Sequence, residues 1–253
     1  VIGPLFKWFG SKWLSAKALP APEWPTIYEP YAGGAGYSLR HHERNVLLAE
    51  RNVHAADLWR WLIETATEAS IREIPIGIPE GTDIQTLELS YGQALLLKSW
   101  QRTNNVGDCW TISPWGNKPG QWTANTRSRV AEQSQAIKHW RFVSRWAEYL
   151  FGLKGEGTWF IDPPYQFNYD YRNPAIDHQE LGAKVLACAG QVIVCEAAHP
   201  KTGAIPAWLP FREFGSRVTS RRKATEHHHS RELIWTSPSV AAAPSTARWG
   251  EGR

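Results

Sequence analysis

Thr26-Ile27-Tyr28 is a short β-prone run that stops at Glu29-Pro30 and opens into Gly33-Gly34-Ala35-Gly36, the punctuation of a strand entering a tight glycine turn. Asn45 to Ala49 reads as the next strand. Behind it Val53, Ala56, Trp59, Leu62, Ile63 and Ala66 fall at three- and four-residue spacing, so Asn52 is placed to cap an amphipathic helix with one buried face. Strand, helix, strand, helix is the rhythm of an α/β fold with a mostly parallel sheet.

The rhythm breaks from about Ile74 to Asn125, where Pro75, Pro79, Pro114 and Pro119 join several glycines and polar runs, as in an insertion. From Arg127 to Leu150 the spacing of Val130, Ile137, Trp140, Val143, Ala147 and Leu150 predicts one long helix. Thr158 to Ile161 reads as a strand ending at Asp162, His178 to Ala187 as a helix, and Val192 to Cys195 as a buried strand. Phe211 to Val218 and Glu232 to Trp235 are set to pair as a closing hairpin. Residues 1–73 and 151–240 then form one domain with 74–150 inserted, and the Ala/Pro/Ser/Gly-rich tail 241–253 is expected to be disordered.

Lys plus Arg number 28 against 24 Asp plus Glu, a balance that permits a polyanionic partner without demanding one. The three cysteines, Cys109, Cys188 and Cys195, are odd in number and lack CxxC spacing. This argues against a disulfide framework or structural zinc and fits a reducing cytoplasm. No stretch approaches the roughly 18 uninterrupted apolar residues of a membrane span, and Val1 to Lys12 lacks the order of a signal peptide, so neither membrane insertion nor secretion is expected.

The chemistry concentrates in Asp162-Pro163-Pro164-Tyr165, at the carboxyl end of a strand, where open α/β sheets bind ligands. An exocyclic amine on a base is a poor nucleophile until its lone pair leaves the ring, and two acceptors on its hydrogens promote that. Asp162 and the Pro163 carbonyl are candidates. Consecutive prolines hold φ near −65° and bring no N–H donors, so their carbonyls face an amine without competition. Tyr165 is available to stack on the base. The competing reading is a plain loop with a surface tyrosine.

Glycines after the first strand, followed 21 residues beyond Glu29 by Glu50 at the end of the second, suit a ribose diol, a pattern shared with nicotinamide enzymes. The turn Gly34-Ala35-Gly36 lacks the full GxGxxG, however, and a nicotinamide oxidoreductase leaves Asp162 to Tyr165 without a purpose.

Three segments in this order, Phe6-Lys7-Trp8-Phe9-Gly10-Ser11-Lys12, Glu29 to Gly36, and Asp162 to Tyr165, resemble the Dam-like family of DNA adenine-N6 methyltransferases. The resemblance implies a Rossmann-like methyltransferase domain with an inserted target-recognition region, S-adenosylmethionine as cofactor and double-stranded DNA as partner. It places Trp8, Lys12, Glu29, Tyr31, Gly33, Gly34, Gly36, Glu50 and Asp162 at the cofactor. Phe9 and Ser11 depart from the family's Lys-Trp-Ala-Gly-Gly-Lys opening, and Glu50 stands where the family usually has Asp. By the same resemblance Asp162, Pro163, Pro164 and Tyr165 are catalytic, with Tyr165 stacking on an adenine extruded from the duplex. No metal is implied.

In the interrupted region Trp110, Trp115 and Trp122 interleave with Arg102, Asn104, Asn105, Asn117, Lys118, Gln121, Arg127 and Arg129, residues able to meet phosphates, stack and read purine edges. A polar surface over buried tryptophans is the other reading. Arg217, Arg221, Arg222 and Lys223 form a basic cluster expected between the last two strands, a phosphate contact or a solvated loop. His227-His228-His229 has no completing Cys or Asp spacing and is expected in a polar loop.

The sequence therefore predicts a site-specific adenine methyltransferase acting in a bacterial cell, or in a host cell if virus-encoded. A partner restriction endonuclease is compatible with this reading. The rivals are another amino methyltransferase (cytosine N4, RNA or a protein amide) and an inactive DNA-binding homologue.

Overall fold

The computed structural model describes residues 1–101, 109–153, 155–167, 176–199, 202–208, 212–223 and 226–236, the last two stretches as backbone except at Ile234 and Trp235. In chain order its elements are β1 Thr26–Glu29, β2 Asn45–Ala49, α1 Val53–Arg60, α2 Glu68–Arg72, α3 Tyr91–Trp100, α4 Ala124–Ser134, β3 Arg141–Ser144, α5 Ala147–Phe151, β4 Gly157–Ile161, α6 His178–Leu186, β5 Gly190–Ala197, β6 Arg212–Lys223 and β7 Glu226–Thr236. The architecture is α/β with mostly parallel strand pairing, compatible with a Rossmann-like fold. Two compact units make up the chain: Val1–Ala18 with Ala32–Leu150, and Leu19–Tyr31 with Phe151–Arg253.

In the first unit β2 and β3 run parallel, with Leu47 opposite Arg141 and Leu48 opposite Phe142. Val46, Leu48 and Ala49 are buried, as the short apolar run requires. Asn52 caps α1 by accepting the Ala55 N–H at 3.1 Å, and Ala56 and Trp59 face inward as their spacing predicts, with Leu62, Ile63 and Ala66 buried beyond the helix. Val53 alone of that set is exposed. Four buried indoles spend their single donor on loop carbonyls: Trp59 on Gly33, Trp100 on Leu5, Trp122 on Pro75 and Trp140 on His42. Each ring thus fills the core while pinning a loop to a helix or turn.

In the second unit the strand order is β1-β4-β5-β7-β6, with β1–β4 and β4–β5 parallel and the β6–β7 hairpin joined antiparallel to β5. Every residue of β4 is buried, in keeping with its apolar run Trp159 to Ile161, and the one polar side chain, Thr158, donates its hydroxyl to Gln191 at 2.8 Å. Trp159 of β4 is stacked on Tyr28 at 4.2 Å between ring centroids and on Phe151 at 5.8 Å. Asp177 opens α6 by accepting the Gln179 and Glu180 N–H groups.

Four expectations are corrected. The predicted helix over 127–150 is α4, a short 3-10 turn, β3 and α5, because the chain turns at Lys138–Trp140 and Arg141–Ser144 pairs with β2. Residues 74–125 also contain a regular helix, α3, opened by a Ser90–Gln93 capping box. Finally, Arg217, Arg221, Arg222 and Lys223 lie within β6 rather than between strands, and His227 to His229 lie within β7 rather than in a loop. The tail 241–253 falls outside the described residues.

Candidate active site

The opening segment and the glycine turn meet in the first unit. Phe6 is buried edge-on against Trp59, with ring centroids 4.9 Å apart, and this anchors the segment. Gly10, at φ 81°, lets the chain turn back so that the Ser11 N–H donates to the Trp8 carbonyl. Lys12 is buried and its ammonium donates to the Gly10 carbonyl at 3.0 Å. Gly33 sits at φ +49°, and a Cβ there would come within 2.5 Å of the Trp8 indole nitrogen. A Cβ on Gly34 would lie 3.0 Å from Trp8 Cβ, and one on Gly36 would collide with the Trp13 backbone nitrogen. The close approach these glycines permit is therefore made by the chain's own opening segment.

Glu50 follows β2 and is buried. Its Oε2 accepts the Gly33 N–H at 2.7 Å and its Oε1 accepts the Asn52 N–H at 2.7 Å, while the Trp59 indole donates to the Gly33 carbonyl at 2.8 Å. One side chain thus joins the glycine turn to the start of α1. Burial pushes the Glu50 carboxyl above its ordinary value, against the pull of those N–H groups and that of Arg51. An ionised carboxylate has about four lone-pair sites, so the N–H groups of Gly33, Asn52 and Arg51 leave room for one ribose hydroxyl.

In the second unit Glu29 is buried at the end of β1, and the Tyr31 ring lies 6.5 Å from Phe151. Glu29 and Tyr31 therefore belong to a different unit from Gly33, Gly34 and Gly36. β4 delivers Asp162 directly after Ile161; Pro163 is buried, and Asp162, Pro164 and Tyr165 are half-buried. The Pro164 carbonyl accepts from His178 Nε2 at 3.3 Å.

Sequence reasoning missed Glu196. The penultimate residue of β5, it is fully buried, accepts the Gln166 N–H at 3.3 Å on each oxygen, and accepts its neighbour Ala197's N–H at 2.9 Å. Burial pushes its carboxyl up to about 7; the Ala197 and Gln166 N–H groups and the Trp208 side chain pull the other way, and the Asp162 charge raises it further. The signal was available, since an acid at the carboxyl end of a strand parallel to β4 meets the same criterion as Asp162 itself.

The candidate DNA contacts divide. Asn117 donates its amide to the Ile78 carbonyl at 2.8 Å, and buried Gln121 accepts the Lys7 ammonium at 2.6 Å. Arg127 and Arg129 donate to the Ile74 and Pro4 carbonyls, and Trp122 is core. Trp115 is 59% exposed, with the Lys118 ammonium 3.8 Å from its ring centroid. Arg102, Asn104 and Asn105 lie outside the described residues, as do the side chains of Arg217, Arg221 and Arg222.

No protein-family model matches the chain, and comparison with the curated proteins finds no relative. Among the described residues, no group of three or more His, Cys, Asp or Glu could hold a metal ion, and no helix is long and apolar enough to cross a membrane.

Proposed function

We propose that this chain is an S-adenosylmethionine-dependent DNA adenine-N6 methyltransferase acting on double-stranded DNA. The observation that carries the reading is Asp162-Pro163-Pro164-Tyr165 at the carboxyl end of β4, a fully buried strand paired in parallel on both sides.

Glu50 receives a hydroxyl of the cofactor ribose on the lone pair left by the N–H groups of Gly33, Asn52 and Arg51. Trp8 and Lys12 hold the remainder of the cofactor from the opening segment. When bound, the cofactor supplies an electrophilic methyl group. Tyr165 stacks on the extruded adenine. Asp162 and the Pro163 carbonyl accept the two hydrogens of the amine, which turns its lone pair out of the ring. The prolines contribute no N–H to compete for those acceptors. One proton leaves the amine after attack.

The test is incubation of purified protein with labelled S-adenosylmethionine and unmethylated DNA, followed by nucleoside mass spectrometry. N6-methyladenine from the wild type, reduced by at least about 10²-fold in Asp162→Ala, is the expected result. Absence of any methylated adenine with the wild type removes this reading.

A further inference from the structure

The segment after β4 has a backbone problem that the sequence creates. Pro163 and Pro164 carry no N–H, so this stretch cannot be tied to the sheet by its own donors until the chain has passed them. The structure supplies anchors from outside. His178, the first residue of α6, donates to the Pro164 carbonyl at 3.3 Å, and Glu196 of β5 takes the Gln166 N–H on both carboxylate oxygens at 3.3 Å. Gln166 directly follows Tyr165.

Glu196 is costly for β5. The strand's other residues from Val192 to Ala197 are apolar and buried, and an apolar side chain would satisfy the packing there without removing a carboxylate from water. Its bonds run to its own strand, through Ala197, and to the end of the Asp162–Tyr165 segment. The carboxylate is thus fixed at one end by the sheet and holds the loop at the other.

We propose that Glu196 is the positioning residue of this segment: by holding the backbone after Tyr165 it aims the Asp162 carboxylate and the Pro163 carbonyl at the target amine. The assignment of the target rests on the methyltransferase reading above; the anchoring does not. Glu196 touches neither substrate nor cofactor in this role.

The experiment compares wild type with Glu196→Leu, a change of similar volume that removes both acceptors of the Gln166 N–H. Hydrogen exchange of the peptide spanning Asp162 to Phe167 should accelerate by about tenfold or more in the variant, with β1 and β4 unaffected. For methyl transfer, kcat should fall by about tenfold or more while the cofactor dissociation constant and KM stay within about twofold. Unchanged exchange at Gln166 overturns the anchoring, and accelerated exchange with full kcat overturns the positioning role. If the wild type transfers no methyl group to DNA, the functional reading has failed, and the exchange arm still decides whether Glu196 holds the segment.

Discussion

The Gly33 N–H donates to the Glu50 carboxylate at 2.7 Å, so the residue suited to a ribose also closes the turn beneath it. On the proposed function, cofactor binding and folding meet in this one side chain, whose second oxygen holds the Asn52 N–H that begins α1.

Glu50→Ala should therefore cost stability as well as cofactor affinity. It orphans two donors at about 1–3 kcal/mol each. Urea denaturation should show a loss of about 2–6 kcal/mol, and calorimetry a fall in S-adenosylmethionine affinity of about tenfold or more. A loss of affinity with unchanged stability would mean that the two backbone bonds carry no load.

Gly33→Ala should displace the Trp8 indole, since its new Cβ meets the ring nitrogen and φ +49° is strained for alanine. We expect about 1–3 kcal/mol of destabilisation. Trp8→Ala in the same chain should restore part of it by removing the collision, while cofactor binding stays impaired. Additive losses in that double-mutant cycle would show that the two residues do not interact.

What the sequence disclosed follows from where local signals were sharp. β1, β2, β4 and β5 were legible because each is a short apolar run bounded by turn residues. α1 was legible because Asn52 precedes an inward-facing face. The stretch 127–150 was misread because it contains no Gly or Pro to mark its breaks, and its apolar spacing happens to continue across the turn at Lys138–Trp140. Only pairing with β2, a contact distant in sequence, makes Arg141–Ser144 a strand. Glu196 follows its apolar run just as Asp162 does, so its position was legible; what the sequence lacks is its partner, since Gln166 lies 30 residues earlier and meets it only through the pairing of β4 with β5. Gln121 and Asn117 look like base readers in sequence, and only the fold shows Lys7 and Ile78 taking up their polar atoms.

Stability should fall as pH rises from about 4.5 to about 7. The Glu196 carboxyl is raised from 4.5 to about 7 in the folded chain, so between these values the native state holds a proton that the unfolded chain has released. The contribution is fully present below the lower value and is lost as pH passes the upper one, on the order of 3 kcal/mol at about 1.4 kcal/mol per pH step. Glu50 is raised by burial and adds in the same direction. Urea midpoints from pH 5 to pH 8 should thus decline for the wild type and decline less for Glu196→Gln. Equal slopes in the two proteins would contradict the raised Glu196 carboxyl.

The exposed and the buried members of the interrupted region should separate when mutated. Trp115 and Lys118 sit on a turn braced by the Gly116 N–H to the Ser113 carbonyl, the Lys118 N–H to the Trp115 carbonyl and the Asn117 amide to the Ile78 carbonyl. An exposed indole held this rigidly beside a cation is suited to stacking on a base next to a phosphate. Lys118→Ala should lower DNA affinity on every sequence and reduce the slope of log K against log salt by about one, the signature of a lost phosphate contact. Gln121→Ala should act differently. Gln121 is buried and accepts the Lys7 ammonium at 2.6 Å, and burial already pulls the Lys7 amine below its ordinary value. Removing the amide should lower thermal stability and leave the choice of adenine unchanged. Methylation mapped on random-sequence DNA decides the matter: a shifted site preference in Gln121→Ala with an unaltered melting temperature would make it a base reader, and an unaltered salt slope in Lys118→Ala would take that turn off the DNA.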